Sequence, residues 1–160
     1  LAEWIIGEPV EEWAGGGFTE RGTGMEAEAL AWYGFDRNVQ VAPVGFISND
    51  DETVGASLDG VVDTDGTVEA KCYALTHHIA ALLEPDDAHW PQCQGGLWLS
   101  ERSWCDRIYY SPVLPPVVVH VERDDEYIAD LAAAVEAFLG HLHVAKTRLM
   151  SMGCKPKGKP

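Results

Sequence analysis

The sequence predicts an α/β (α+β) domain, a mixed central β-sheet flanked by helices. Three observations lead there. Helical and strand-like segments alternate along the chain. The stretch SLDGVVDTDGTVEAKCY (57–73) alternates apolar and polar residues about a turn-like TDG, the pattern of a hairpin. Tyr127, Leu131, Val135, Phe138 and Leu142 recur at helical spacing behind Asp124, a good N-cap.

Each element follows from local chemistry. Leu1 to Ile6 reads as the end of a helix, stopped by Gly7 and Pro9. Residues 14–24 (AGGGFTERGTG) are glycine-rich and read as a loop. Met25 to Tyr33, rich in Ala and Glu, reads as a helix ending before Gly34. Val39 to Ser48 is strand-like, and its internal Pro43 marks an edge or a bulge. Asn49 to Glu52 is a polar turn. Val54 to Val62 and Thr67 to Tyr73 form the arms of the hairpin. Thr76 to Leu83 is a helix closed by Pro85. Asp87 to Leu99 is a second, with Pro91 tolerated in its first turn. Ser103 to Tyr110 and Val117 to Val121 are strands, and a long helix runs from Asp124 to about Arg148. No internal repeat is present.

Length and charge narrow the function. At 160 residues the chain fits one domain with a real core. We assign it to residues 1–145, followed by a basic, flexible tail over 146–160. Leu1 is not a start Met, so N-terminal residues are expected to be missing here. No run approaches the ~18 apolar residues of a membrane span. The four cysteines (72, 93, 105, 154) contain no CxxC pair, which argues against structural zinc and for free thiols in a cytoplasmic protein. The net charge of −15 opposes a broad nucleic-acid surface. Yet five of the 11 bases fall in 146–159, and all but one of the 26 acids precede Leu131. A phosphate-binding groove must therefore be local, helped by metal ions.

The hairpin carries the chemistry. With TDG as a three-residue loop and Gly66 left-handed, opposing residues sum to 130. Asp59 then faces Lys71, and Glu69 projects from the same face. Adjacent carboxylates repel unless a cation or proton joins them. Hard oxygen ligands with open positions suit Mg²⁺ or Mn²⁺, and a neighbouring lysine can orient a water or steady a phosphate. Metal-assisted phosphodiester hydrolysis follows. The competing reading is a surface hairpin with a Glu–Lys pair of little consequence.

The same stretch resembles the signature of the PD-(D/E)XK nuclease superfamily, and more narrowly the lambda-type phage exonucleases, or YqaJ-like viral recombinases. SLDG (57–60), EAKC (69–72) and QCQ (92–94) stand in the family's order, preceded by GTGMEAEALAWYGF (22–35) and followed by VERDDEY (121–127). Two departures stand out. Leu58 replaces the usual Pro, and the sequence given begins after the place of the family's N-terminal helix, whose Arg and Ser hold DNA phosphate, so those contacts are either absent or lost to truncation and are not assigned.

The resemblance implies a restriction-endonuclease-like fold and a set of roles. Asp59, Glu69 and the Ala70 carbonyl would ligate Mg²⁺ (or Mn²⁺). Lys71 would orient the attacking water. Glu26 would complete the site from its helix; Glu28 points about 200° away and cannot share that task. Gln92 would lie near Lys71 or the scissile phosphate, and Gln94 would contact DNA, each against the alternative of a solvated or capping Gln. The implied activity is 5′→3′ exonuclease action on double-stranded DNA ends, yielding single strands for phage recombination. The implied assembly is a ring-shaped homotrimer working with a single-strand annealing protein. A different PD-(D/E)XK endonuclease, or a non-catalytic DNA- or protein-binding descendant, are the alternatives. His77, His78 and His89 read as solvated or core-edge residues, and Trp90, Trp98 and Trp104 as core.

Overall fold

The computed structural model describes residues 1–8 and 17–157. Its elements are α1 (Ala2–Ile6), α2 (Gly17–Arg37), β1 (Val41–Pro43), β2 (Phe46–Ser48), β3 (Gly55–Ser57), β4 (Gly60–Val62), β5 (Gly66–Lys71), α3 (Leu75–Leu83), α4 (Trp90–Ser100), β6 (Trp104–Tyr109), β7 (Val117–Glu122) and α5 (Asp125–Ser151). The chain divides into two compact units, Gly16–Ile128 and Leu1–Gly15 with Ala129–Pro160.

The first unit holds a five-stranded sheet of order β1-β4-β5-β6-β7, plus a small β2–β3 ribbon. Only β5 and β6 run parallel; the other neighbours are antiparallel. The parallel pair needs a crossover, which α3 and α4 supply. Alternation along the strands gives the sheet two apolar faces. Val62, Val68 and Ile108 pack with Ala29 and Tyr33 of α2. Cys105 and Val121 pack with Cys93 and Leu97 of α4 and with Ile128. The expected mixed sheet flanked by helices is the architecture observed.

Several boundaries differ from the sequence reading, for physical reasons. Residues 17–24, read as loop, are the first turns of α2, and the helix continues past Gly34 to Arg37; residues 14–16 lie outside the described residues. The single strand over 39–48 is two strands in different sheets, parted at Val44–Gly45. Pro43 closes β1, an edge strand, where a missing N–H costs no ladder bond. The first hairpin arm breaks at Leu58–Asp59. There Leu58 is buried, its amide donating to the Gly45 carbonyl at 3.4 Å. A Cβ on Gly96 of α4 would lie 2.9 Å from the Leu58 side chain, so the leucine seats the break against that helix.

The hairpin loop is Asp63–Asp65, not TDG. Asp63, at φ 46°, takes the left-handed position assigned to Gly66. Gly66 instead opens β5 beneath Trp104, whose ring atoms lie 2.1–2.5 Å from where a Cβ would stand. Opposing residues therefore sum to 128, as in Gly60↔Val68. A shift of two preserves the face.

Asp124 does cap α5: its Oδ1 accepts the Tyr127 N–H at 2.9 Å. Beyond Ile128, in the second unit, α5 passes the expected Arg148 end and closes at Gly153, φ 92°. The Lys157 amide there donates to the Ile5 carbonyl of α1 at 3.1 Å. An 18-residue window of α5 has mean hydropathy 1.3, enough to cross a bilayer by length and composition, as some helices of soluble proteins also do. All four cysteines are free thiols.

Candidate active site

The site forms where β4 stops and β5 continues. Beyond Gly60 the fourth strand no longer covers β5. The Asp59 carboxylate takes over that place, accepting the Ala70 N–H at 2.7 Å. Glu69 and Lys71 alternate with Ala70 and so face α4. Lys71 Nζ donates to Glu69 Oε1 at 2.8 Å and to Gln92 Oε1 at 2.9 Å. Gln92 Nε2 donates back to Glu69 Oε1 at 2.7 Å. Three side chains from two elements thus close a hydrogen-bonded triangle. Gln92 fixes the carboxylate and the ammonium at once, with its amide orientation dictated by both.

Glu26 joins from α2, half-buried, while Glu28 is exposed. The electrostatics tie the carboxylates together. Burial raises the Glu69 pKa, and the Asp59 charge raises it further against the Lys71 hydrogen bond. Burial raises Glu26, and Asp59 adds to it. Burial likewise raises Asp59, opposed by the Ala70 N–H and by Lys71. Three acids share one lysine, so negative charge at this spot is under-compensated.

Among the described residues, no three His, Cys, Asp or Glu side chains form a closed metal cage. Mg²⁺ needs no such cage: it is usually held by one or two carboxylates and keeps several waters. Asp59 and Glu69 would supply those carboxylates, with the Ala70 carbonyl directly after Glu69 in sequence. The donor set fits a hard divalent cation, whose charge would relieve the repulsion.

Gln94 requires a correction. It was expected to contact DNA, but its side chain is fully buried. Its Nε2 donates to the Glu122 carbonyl at 2.7 Å and its Oε1 accepts the Asp124 N–H at 2.9 Å. It ties the end of β7 to the start of α5. Gln92 and Gln94 point apart, as a two-residue helical step requires.

Neighbouring groups extend the site. The Tyr73 hydroxyl and His89 Nε2 form a short hydrogen bond, and burial lowers the His89 pKa, a Gln92 hydrogen bond pushing the other way. Sequence reading had set His89 aside; the signal available was its place one turn before Gln92. His78 is fully buried against the Pro115 carbonyl, at 2.9 Å, while His77 is exposed. Trp90, Trp98 and Trp104 pack against the cores, as expected. A cavity of about 290 Å³ beside Glu69 and Gln92 is lined also by Leu58, Thr67, Cys93 and Cys105.

This arrangement resembles known proteins. The profile of the YqaJ-like viral recombinase domain matches residues 6–103. The crystal structure of an alkaline exonuclease (LHK-Exo) from Laribacter hongkongensis is 30% identical, with a TM-score of 0.81, over 93% of this chain and 78% of that one. The same enzyme in complex with dAMP matches at 30% identity and TM-score 0.81, over 95% and 80% of the two chains. A phage-related exonuclease from Haemophilus somnus 129PT shares the fold at 19% identity and TM-score 0.65, over 85% and 74%. No curated protein sequence matches the chain.

Proposed function

Because the chain belongs to the YqaJ-like viral recombinase domain family, we propose that it is a DNA exonuclease, Mg²⁺-dependent, degrading double-stranded ends 5′→3′ to leave single strands for recombination. The observation that carries this reading is the Glu69–Lys71–Gln92 triangle with Asp59 on Ala70. When bound, Mg²⁺ (or Mn²⁺) supplies a Lewis acid at the scissile phosphate and lowers the pKa of water.

The chain's own residues do the rest. Asp59 and Glu69 would hold the cation, and the hydrogen bond from the Ala70 N–H keeps the Asp59 carboxylate aimed into the site. Lys71, half-buried, carries a positive charge where the phosphorane-like transition state gains negative charge. Gln92 sets the lysine's direction, so the charge is preorganised and need not be recruited during the reaction. Glu26 adds a third carboxylate, its raised pKa suiting it to take up a proton near the reacting water. The 30% identity to an alkaline exonuclease, over most of both chains, supports the substrate class.

A ring-shaped trimer around DNA, a single-strand annealing partner and a cytoplasmic setting belong to the same reading. Light scattering of the protein, alone and with duplex DNA, tests the assembly. The activity is tested with linear duplexes labelled at the 5′ or the 3′ end and with closed circles, in Mg²⁺ and in EDTA. Release of the 5′ label from linear DNA alone is expected. Cutting of circles would identify an endonuclease instead, and Mg²⁺-dependent binding without cleavage a non-catalytic descendant.

A further inference from the structure

Two of the four free cysteines meet beside the candidate site. Cys93 lies on α4 directly after Gln92, the residue that bonds both Glu69 and Lys71. Cys105 lies on β6, paired in parallel register with Thr67, which shares a face of β5 with Glu69. The two are buried in one core with Leu97 and Val121. Their thiols are hydrogen-bonded to each other. Both also line the cavity of about 290 Å³ that borders Glu69 and Gln92. A single buried cysteine commonly serves as a small apolar residue. Two in direct contact, open to a cavity, can be joined.

The contact between the thiols is polarised. Cys105 donates to Cys93, which lowers the Cys93 pKa against burial and the Glu69 charge, with Arg107 and Lys71 helping. The same bond, with burial, makes Cys105 hold its proton. Cys93 is therefore the nucleophile of the pair and Cys105 the resolving thiol. A disulfide in a reducing compartment is usually transient and redox-sensing.

We propose that Cys93 and Cys105 are a redox switch: a peroxide joins them in a reversible disulfide that pulls Gln92 away from Glu69 and Lys71. The Cys93 thiolate attacks one oxygen of hydrogen peroxide, the O–O bond breaks, and the departing oxygen leaves as water after taking up a proton. Cys93 is then a sulfenic acid. The Cys105 sulfur displaces its oxygen, which leaves as a second water with the Cys105 proton. Two thiols thus lose two electrons and two protons, and the peroxide ends as water. Disulfide geometry is narrow, so α4 and β6 must adjust to close the bond. Gln92, next in sequence to Cys93, moves with it, and its bonds of 2.7 and 2.9 Å to Glu69 and Lys71 open. A shift of about 1 Å at a site costs on the order of a hundredfold in rate. The loss of cleavage rests on the nuclease reading; the disulfide itself does not.

The experiment exposes the reduced protein to hydrogen peroxide, then denatures it, alkylates the remaining thiols and maps the peptides by mass spectrometry. It uses wild type and Cys72→Ser/Cys154→Ser, in which only the pair remains. Wild type alone carries the test if that variant does not fold, because the map identifies which cysteines are joined. A Cys93–Cys105 cross-link is expected, two hydrogens lighter than the dithiol. In parallel, nucleotide release from linear duplex DNA in Mg²⁺ should fall about a hundredfold and return on adding dithiothreitol. Cys93→Ala should keep its activity in peroxide. The proposal is overturned by the absence of the cross-link, by a cross-link without loss of cleavage, or by a loss that dithiothreitol does not reverse or that persists in Cys93→Ala. A reduced protein that never cleaves DNA overturns the nuclease reading instead, and the map then upholds or overturns the disulfide by itself.

Discussion

Replacing Gln94 by Met should cost stability and leave DNA binding alone. The side chain is fully buried and spends its amide on two backbone groups, the Glu122 carbonyl at 2.7 Å and the Asp124 N–H at 2.9 Å. Methionine fills a similar volume and satisfies neither. Each orphaned buried group costs about 1–3 kcal/mol. Methionine's apolar burial returns part of that, on the order of 1 kcal/mol. The net loss is about 3 kcal/mol, which for a chain of this size lowers Tm by roughly 6–12 °C. Urea unfolding should move to a lower midpoint at unchanged slope. DNA affinity per folded molecule should match that of wild type. Stability within about 0.5 kcal/mol of wild type, or weakened DNA binding in a fully stable variant, would refute the reasoning that places Gln94 at the β7–α5 junction.

Gln92→Ala should show the opposite signature: this exposed residue bonds Lys71 and Glu69, so kcat should fall about 10- to 100-fold with Tm little changed. Burial raises the pKa values of Glu26, Asp59 and Glu69 above 4.5, 3.8 and 4.5, and repulsion from Asp59 adds to it at Glu26 and Glu69. The folded protein therefore holds protons that the unfolded chain releases, and the stability these groups confer falls as pH rises through the raised values. Added Mg²⁺ should raise Tm at pH 8 and not near pH 4, and Asp59→Asn should abolish the rise; equal shifts in that variant would count against the metal site. His120 works on the other face: its hydrogen bond to Asp106 raises its pKa. Its contribution is present below about 6.5 and lost as pH climbs through the folded value, so the Tm gap between wild type and His120→Asn should close towards alkaline pH. Gly66→Ala should cost roughly 1–3 kcal/mol through collision with Trp104, read as a drop in urea midpoint.

What was legible in the sequence was alternation. The spacing of Asp59, Glu69 and Lys71 put them on one face, and that survived an error of two in the register because the strand period is two. The error came from Gly66, which looked like a turn glycine and is a packing glycine under Trp104, 38 residues on. No local rule holds that information. The same limit hid the helical start of α2, where glycines and polar residues at 17–24 suggest a loop, and it hid Gln94, whose partners lie beyond β6. The first hairpin arm breaks at Leu58–Asp59 for a comparable reason, since Leu58 and Gly96 meet only in three dimensions.

The most direct measurement of the central claim is nucleotide release from uniformly labelled linear duplex DNA in Mg²⁺. It compares wild type with Lys71→Ala and Asp59→Asn, each first checked for wild-type unfolding behaviour. The account predicts steady release by wild type, abolished in EDTA, and a loss of at least about a hundredfold in both variants. Release at wild-type rate by either folded variant would contradict it.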